Sequence, residues 1–192
     1  MYLVFDTETT GLPLWKEPSD DERQPHIVDV AWTLYDRDRT ELERFDAIIN
    51  PGVDIPEDVG ALHGITTERA RDEGIQPQQA WERFADVISR TEIVVGHNVS
   101  FDIRMKRILA ARVTGEKWEN PHPTFCTMRK STNVCRILKA KPRFSEDWKW
   151  PNLGEATRHF FDEELDGAHR ARADCDAAAR IFFHLKDQES AQ

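Results

Sequence analysis

Apolar side chains fill Tyr2-Leu3-Val4-Phe5, and residues 2–8 read as a central β-strand covered on both faces. Residues 27–35, from Ile27 to Tyr35, are rich in β-formers and predict a second strand. Residues 42–49, ending Ala47-Ile48-Ile49, predict a third, with a hairpin turn at Asp36-Arg37-Asp38-Arg39 between the two. Residues 14–26 are polar and carry prolines, which predicts a loop. The period then changes. Trp81, Phe84, Ala85 and Ile88 mark one face of a helix that Pro77 starts. Ile93-Val94-Val95 is a short buried strand. Phe101, Met105, Ile108, Leu109 and Val113 recur at helical spacing, with Ser100 as the expected N-cap. Phe125-Cys126-Thr127 predicts a fifth strand and residues 153–161 a short helix. Ala171, Cys175, Ala178, Phe182 and Leu185 mark the last helix. The order β-β-β-α-β-α-β-α-α predicts an α/β fold, a mixed five-stranded sheet with helices on it.

Composition narrows this. A chain of 192 residues with 39% hydrophobic and 32% charged residues suits a single soluble domain over 1–192, and no apolar run approaches membrane-spanning length. The N-terminus lacks a basic region and reaches Asp6 at once, so no secretory signal is expected. Cys126, Cys135 and Cys175 form no C-x-x-C pair, which argues against a disulfide framework or a zinc site and for a cytoplasmic location. A net charge of −9 argues against a broad basic surface for nucleic acid, though not against meeting phosphates through bound metal. Residues 136–151 depart from the rest: Arg136, Lys139, Lys141, Arg143 and Lys149 interleave with Phe144, Trp148 and Trp150. Cations beside aromatics suit single-stranded nucleic acid. The competing reading is a surface lid whose aromatics pack down.

Candidate chemistry begins with Asp6 and Glu8 at the end of the first strand. A period of two puts both side chains on one face, where they repel unless a cation lies between them, and oxygen ligands favour Mg²⁺ or Mn²⁺. Gly11 and Pro13 turn the chain soon after, placing the pair at the rim of a sheet. Taken alone, such a pair also fits solvated loop acids. Asp102 falls in the first turn of the strong helix, a position that helix-dipole electrostatics alone would explain. Asp174 lies beside the apolar stripe of the last helix. His169, five residues earlier, would sit about 140° away on one regular helix. The two can share a site only if His169 lies on the preceding Gly167-containing loop. There an imidazole has the right character for a general base, and the plain alternative is an exposed loop histidine.

Phe5-Asp6-Thr7-Glu8-Thr9-Thr10-Gly11-Leu12, then Asn98-Val99-Ser100-Phe101-Asp102 opening a helix, then His169 and Asp174 opening the last helix, occur in order over residues 2–185. This pattern resembles the DEDDh (DnaQ-like) 3′–5′ exonucleases of the ribonuclease H-like, three-layer fold. Leu62-His63-Gly64-Ile65-Thr66 matches a further family segment. The resemblance implies that Asp6, Glu8, Asp102 and Asp174 hold two divalent cations, Mg²⁺ or Mn²⁺, which activate water and stabilise the leaving oxygen, with His169 taking the water's proton. It implies substrate contacts at Thr9, Thr10, Leu12, His63, Asn98 and Phe101. The expected substrate is the 3′ end of a single nucleic-acid strand, DNA favoured over RNA, with nucleoside monophosphates released.

Two departures stand out. Many relatives carry Asp-Thr where this chain has Cys126-Thr127, so Cys126 is given no catalytic role. The 136–151 insertion is longer than the minimal fold needs. Because the chain stops soon after the last helix, the expectation is a freestanding enzyme or one that docks by another surface, a polymerase or homo-oligomer partner being possible but unsupported by the sequence. The rival readings are an exoribonuclease or oligoribonuclease, and a non-catalytic nucleic-acid-binding module on the same fold.

Overall fold

A computed structural model describes residues 1–190. Its strands are β1 (Tyr2–Thr9), β2 (Ile27–Tyr35), β3 (Glu41–Ile48), β4 (Ile93–Gly96) and β5 (Thr124–Cys126). Its helices are α1 (Glu57–His63), α2 (Thr67–Glu73), α3 (Pro77–Ser89), α4 (Val99–Thr114), α5 (Thr127–Cys135), α6 (Leu153–Phe161) and α7 (Ala171–Ser190). The strands form one sheet in the order β3-β2-β1-β4-β5. The β1–β2 and β2–β3 pairs are antiparallel, whereas β1–β4 and β4–β5 are parallel.

Side-chain alternation on β1 divides the layers. Leu3 and Phe5 bury against Phe84, Val87 and Ile88 of α3 and Ile103, Met105 and Ile108 of α4. Val4 points the other way, into Ala171, Cys175, Ala178 and Phe182 of α7. The central strand is therefore apolar on both faces, as its sequence predicted, and the ribonuclease H-like layering of helices on both sides of a mixed sheet follows. Local signals agree. Pro77 opens α3 behind a Gln76–Gln79 capping box, and Asn152 with Glu155 forms the same device for α6. Asp36 accepts the backbone N–H groups of Asp38 (2.9 Å) and Thr40 (2.8 Å), closing the β2–β3 turn where it was expected. The polar segment 14–26 carries no helix or strand. It is tied down by α4: Arg104 donates to the Glu17 carbonyl (2.6 Å) and the Ser19 hydroxyl (2.8 Å), and Arg112 to the Pro25 carbonyl (2.6 Å).

The structure corrects the sequence reading in three places. Helices α1 and α2 fill the stretch between β3 and α3. They bury only Gly60, His63 and Ala70, so they have no apolar stripe to betray them. Thr127 does not belong to β5 but opens α5, whose buried face is Thr127, Met128 and Ser131, largely polar. Helix α4 is entered through Asn98, not Ser100. Asn98 sits in the left-handed region at φ 74°, and Ser100 lies within the first turn, donating to Asn98 Oδ1 (3.2 Å).

Phe84 is the hub of the larger core, with ring centroids of Phe5, Trp32, Trp81 and Trp118 at 5.7, 6.2, 6.0 and 5.7 Å. Phe84→Ala is expected to lower unfolding free energy by about 3–5 kcal/mol. Denaturant unfolding checks this, and a loss below about 1 kcal/mol would contradict the packing.

Candidate active site

Strand β4 pairs with its parallel neighbour β1 only as far as Val4–Val95 and ends at Gly96, so Asp6 and Glu8 lie beyond it, and α4 and α7 begin there from opposite faces. Asp6 and Glu8 continue the Tyr2–Val4 face of β1, toward α7. Thr7 lies on the other face, and its hydroxyl donates to Asp102 Oδ1 (2.8 Å) in the first turn of α4. This bond draws Asp102 over the strand end. Close backbone approach is required there, because a Cβ on Gly96 would come within 3.3 Å of the Phe5 carbonyl and of Val99. Asp174 occupies the first turn of α7 and comes from the far side. His169 precedes that helix at φ 65°, two residues after Gly167 at φ 67°, and its N–H donates to Asp174 Oδ2 (3.2 Å). The imidazole thus sits on the loop and swings over the helix start, as the spacing required. Ligand atoms of Glu8, His169 and Asp174 all lie within 4.8 Å of one another.

These acids share one cleft at a cost. Asp6 is pushed well above the usual carboxylate range, first by burial and then by the charges of Asp102, Asp174, Glu8 and Asp29. Burial, followed by Asp174 and Asp29, pushes Glu8 up to about 8. Burial also takes Asp102 to about 7, despite its Thr7 hydrogen bond, and Asp174 to about 6. Asp174 Oδ1 is buried with no hydrogen-bond partner among the described residues. Convergent hard oxygen donors, one of them orphaned, fit divalent cations. Lys106, one turn after Asp102, is fully buried, with its ammonium 4.4 Å from the Phe84 ring centroid.

Sequence reasoning missed three residues that build the site. Asp29 lies opposite Glu8 in the β1–β2 register and is only 3% exposed. It accepts from Arg170 Nε (2.8 Å) and from the backbone N–H of Ala171 (3.3 Å), fixing the residue beside His169. A charged residue in an otherwise apolar strand was the available signal. His97 ties the β4–α4 turn to Thr127 Oγ1 (2.9 Å) and to the Pro151 carbonyl (3.0 Å). An open cleft of about 310 Å³ reaches the site at His169 and Asp174, and is lined besides by Asn152, Gly154, Leu165 and Ala168.

The residues expected to touch substrate are placed unevenly. Thr9 is buried and donates to the Gly11 carbonyl (2.7 Å), and Thr10 Oγ1 accepts from the His26 N–H (2.9 Å). Leu12 stands 81% exposed just beyond them. His63 is buried, accepts from the Ile65 N–H at Nδ1 (3.2 Å), and keeps Nε2 without a hydrogen-bond partner among the described residues. Asn98 and Phe101 are half-buried at the head of α4, close in sequence to Asp102.

The model of the RNase_T exonuclease family matches residues 3–182. The chain belongs to the RNase_T exonuclease family. The DnaQ-like 3′–5′ exonuclease expected from the motifs therefore stands, and enzymes of this family are typically dependent on divalent metal. The chain is 28% identical to a DNA polymerase III subunit epsilon of Aquifex aeolicus over 97% of its own length and 81% of that protein's. It is 28% identical to a PolC-type DNA polymerase III of Streptococcus suis, of which it spans only 11%. Among solved structures, E. coli exonuclease I in complex with a dT13 oligonucleotide superposes with a TM-score of 0.71 at 18% identity, over 96% of this chain and 40% of that one. Exonuclease X in complex with 5′ overhanging duplex DNA superposes at 0.62 and 22% identity, over 99% and 93%. Both share the fold.

Two outcomes are expected of this exonuclease. A carboxyl whose folded pKa is raised contributes stability below its unfolded pKa and loses it as pH rises through the folded value. In EDTA, Asp174→Asn should therefore gain thermal midpoint relative to wild type as pH rises from about 4 to 7, across the shift of Asp174 to about 6, and saturating Mn²⁺ should reverse the order. A constant difference across that range would contradict the raised pKa. Arg170→Ala leaves Asp29 buried and unpaired, an expected loss of about 1–3 kcal/mol. Most of that loss should be recovered in Arg170→Ala/Asp29→Asn, as a denaturation series will show.

Proposed function

We propose that this exonuclease removes nucleoside monophosphates one at a time from 3′ ends of single-stranded DNA by hydrolysis assisted by two divalent cations. The observation that carries this is the convergence of Asp6, Glu8, Asp102 and Asp174 on the end of β1, all with raised pKa values, beneath an exposed His169. Those four acids would hold Mg²⁺ or Mn²⁺, which lower the pKa of water and neutralise charge on the leaving oxygen. His169 accepts the proton of the attacking water, with its loop held by the Asp174 and Asp29 contacts. Water oxygen bonds to phosphorus as the bond to the 3′ oxygen breaks. The products are a nucleoside 5′-monophosphate and a strand shortened by one residue with a free 3′ hydroxyl. Asn98 and Phe101 flank the acids and Thr9, Thr10, Leu12 and His63 the terminal nucleotide. A cytoplasmic setting suits the unpaired cysteines.

DNA is favoured over RNA because exonuclease I and exonuclease X, which share the fold, are solved on DNA, and the Aquifex relative is a replicase subunit. The last likeness also supports a second reading, in which the chain works beside a polymerase. A non-catalytic module is disfavoured because the four acids and the histidine are all present in one cleft.

End-labelled single- and double-stranded DNA and RNA, each with 3′ or 5′ blocks, separate the readings. The expected result is Mg²⁺- or Mn²⁺-dependent release from unblocked 3′ ends of single-stranded DNA. Asp6→Asn should abolish cleavage with the fold intact, and His169→Ala should slow it by roughly 10²–10⁴ while Mn²⁺ still raises the thermal midpoint. Undiminished activity in EDTA or in Asp6→Asn would overturn the proposal.

A further inference from the structure

Residues 136–150 carry five cations, Arg136, Lys139, Lys141, Arg143 and Lys149, against two acids, in a chain of net charge −9. They form a strap between α5 and α6. Leu138 and Trp148 pair across it, Lys149 N–H donates to the Ile137 carbonyl (2.7 Å), and Lys139 N–H to the Asp147 carbonyl (3.1 Å). Asp147 is buried at its centre and fixes two of the cations: it pairs with Lys139 and accepts from the Arg143 backbone N–H (3.1 Å). Lys149 is held by Glu155 (2.5 Å).

Trp148 is half-buried, but the strap's other two aromatics do not pack down as a lid would require. Phe144 is 59% exposed and Trp150 61%. Each has a guanidinium near its face: Arg143 lies 5.9 Å from the Phe144 centroid, and Arg129 of α5 lies 5.9 Å from that of Trp150. Lys139, Trp148, Lys149 and Trp150 line an open groove of about 450 Å³. The chain passes from Trp150 through Pro151, whose carbonyl His97 holds, to Asn152, which already lines the cleft with His169 and Asp174. Flat exposed rings flanked by cations, one of them Trp150 two residues from cleft-lining Asn152, match a strand whose bases stack while its phosphates pass positive charge.

We propose that the strap is an upstream subsite for the single DNA strand entering the cleft, with Trp150 and Phe144 as stacking platforms and Arg129 and Lys141 facing its phosphates. This rests on the exonuclease reading and specifies its substrate as a strand longer than the reacting end. The test compares wild type with Trp150→Ala/Phe144→Ala on (dT)20 and on the dinucleotide d(TpT). The KM for (dT)20 is expected to rise about tenfold or more, with kcat little changed and d(TpT) turnover within about twofold. Trp150→Phe/Phe144→Tyr, which keeps both rings, should restore the KM. A KM for (dT)20 within about twofold of wild type, or equal losses on both substrates, would overturn the subsite. Anisotropy of fluorescein-labelled (dT)20 on an Asp174→Asn background gives a second measurement. There the strap variant should bind about tenfold more weakly, and unchanged binding would sink the proposal. If the wild type cuts neither substrate, the exonuclease reading fails, while the anisotropy arm still decides what the strap does.

Discussion

Mutual repulsion among acids gathered at the end of β1 is the constraint on which the rest of the structure depends. Asp6 and Glu8 are fixed on one face of a central strand by alternation alone, and neither can turn away without moving Val4 and Tyr2 out of the α7 core. Asp102 and Asp174 are then brought in at the heads of two helices, where the positive end of each macrodipole offsets part of the cost. Burial is the first cause of the upward shift at all four groups. The fold therefore holds a high-energy arrangement that protons or cations would relax, which is the electrostatic basis for the cation binding proposed above.

That strain needs a stiff frame. The β1–β4 parallel pair, flanked by α4 and α7, is packed around fully buried Phe5, Val4 and Phe182. His169 is less constrained by packing, since it lies on an exposed loop in a left-handed backbone conformation. Two polar contacts compensate. Its own N–H is used by Asp174, and the next residue is locked to Asp29. An ion pair with one buried member is a costly way to gain stability. It is a reasonable way to fix the register of a loop, and here it fixes the start of α7 against β2 opposite Glu8.

Much of this was legible in the residues. Strands β1, β2 and β4 and the helices α3, α4, α6 and α7 follow from the pattern of apolar residues because each buries them, whereas β3 and β5 bury little and were read from their β-forming residues alone. The acids were legible because carboxylates at a strand end or beside an apolar stripe contradict their surroundings. What escaped detection lacked such contrast. Helices α1 and α2 pack through Gly60, His63 and Ala70, and α5 through Thr127, Met128 and Ser131, so their buried faces look polar in sequence. Asn98 as the entry to α4 escaped because its positive φ is a backbone property that a capping serine two residues on disguises. The Asp29–Arg170 pair spans 141 positions, and no local pattern carries a contact of that range. The strap was legible as a composition but not as an arrangement. Pairing Lys139 and Arg143 with Asp147 shows that much of its charge is already committed to holding its own shape.

An acidic protein that handles a polyanion must localise its attraction. With 35 acids against 26 Lys and Arg, most of this surface repels a DNA strand, so association cannot come from a diffuse basic field. In the proposed reading, attraction comes from two places: the acids at the end of β1, whose sign bound cations would invert, and the strap. Few phosphates are then neutralised and few counterions released in total, so binding should depend less steeply on salt than it does for proteins with broad basic faces. Stacking is nearly independent of ionic strength, which makes exposed rings a fitting complement to so small a patch of charge. Repulsion elsewhere then favours a strand that approaches end-on over one that lies along the surface, the geometry that an enzyme acting on ends requires.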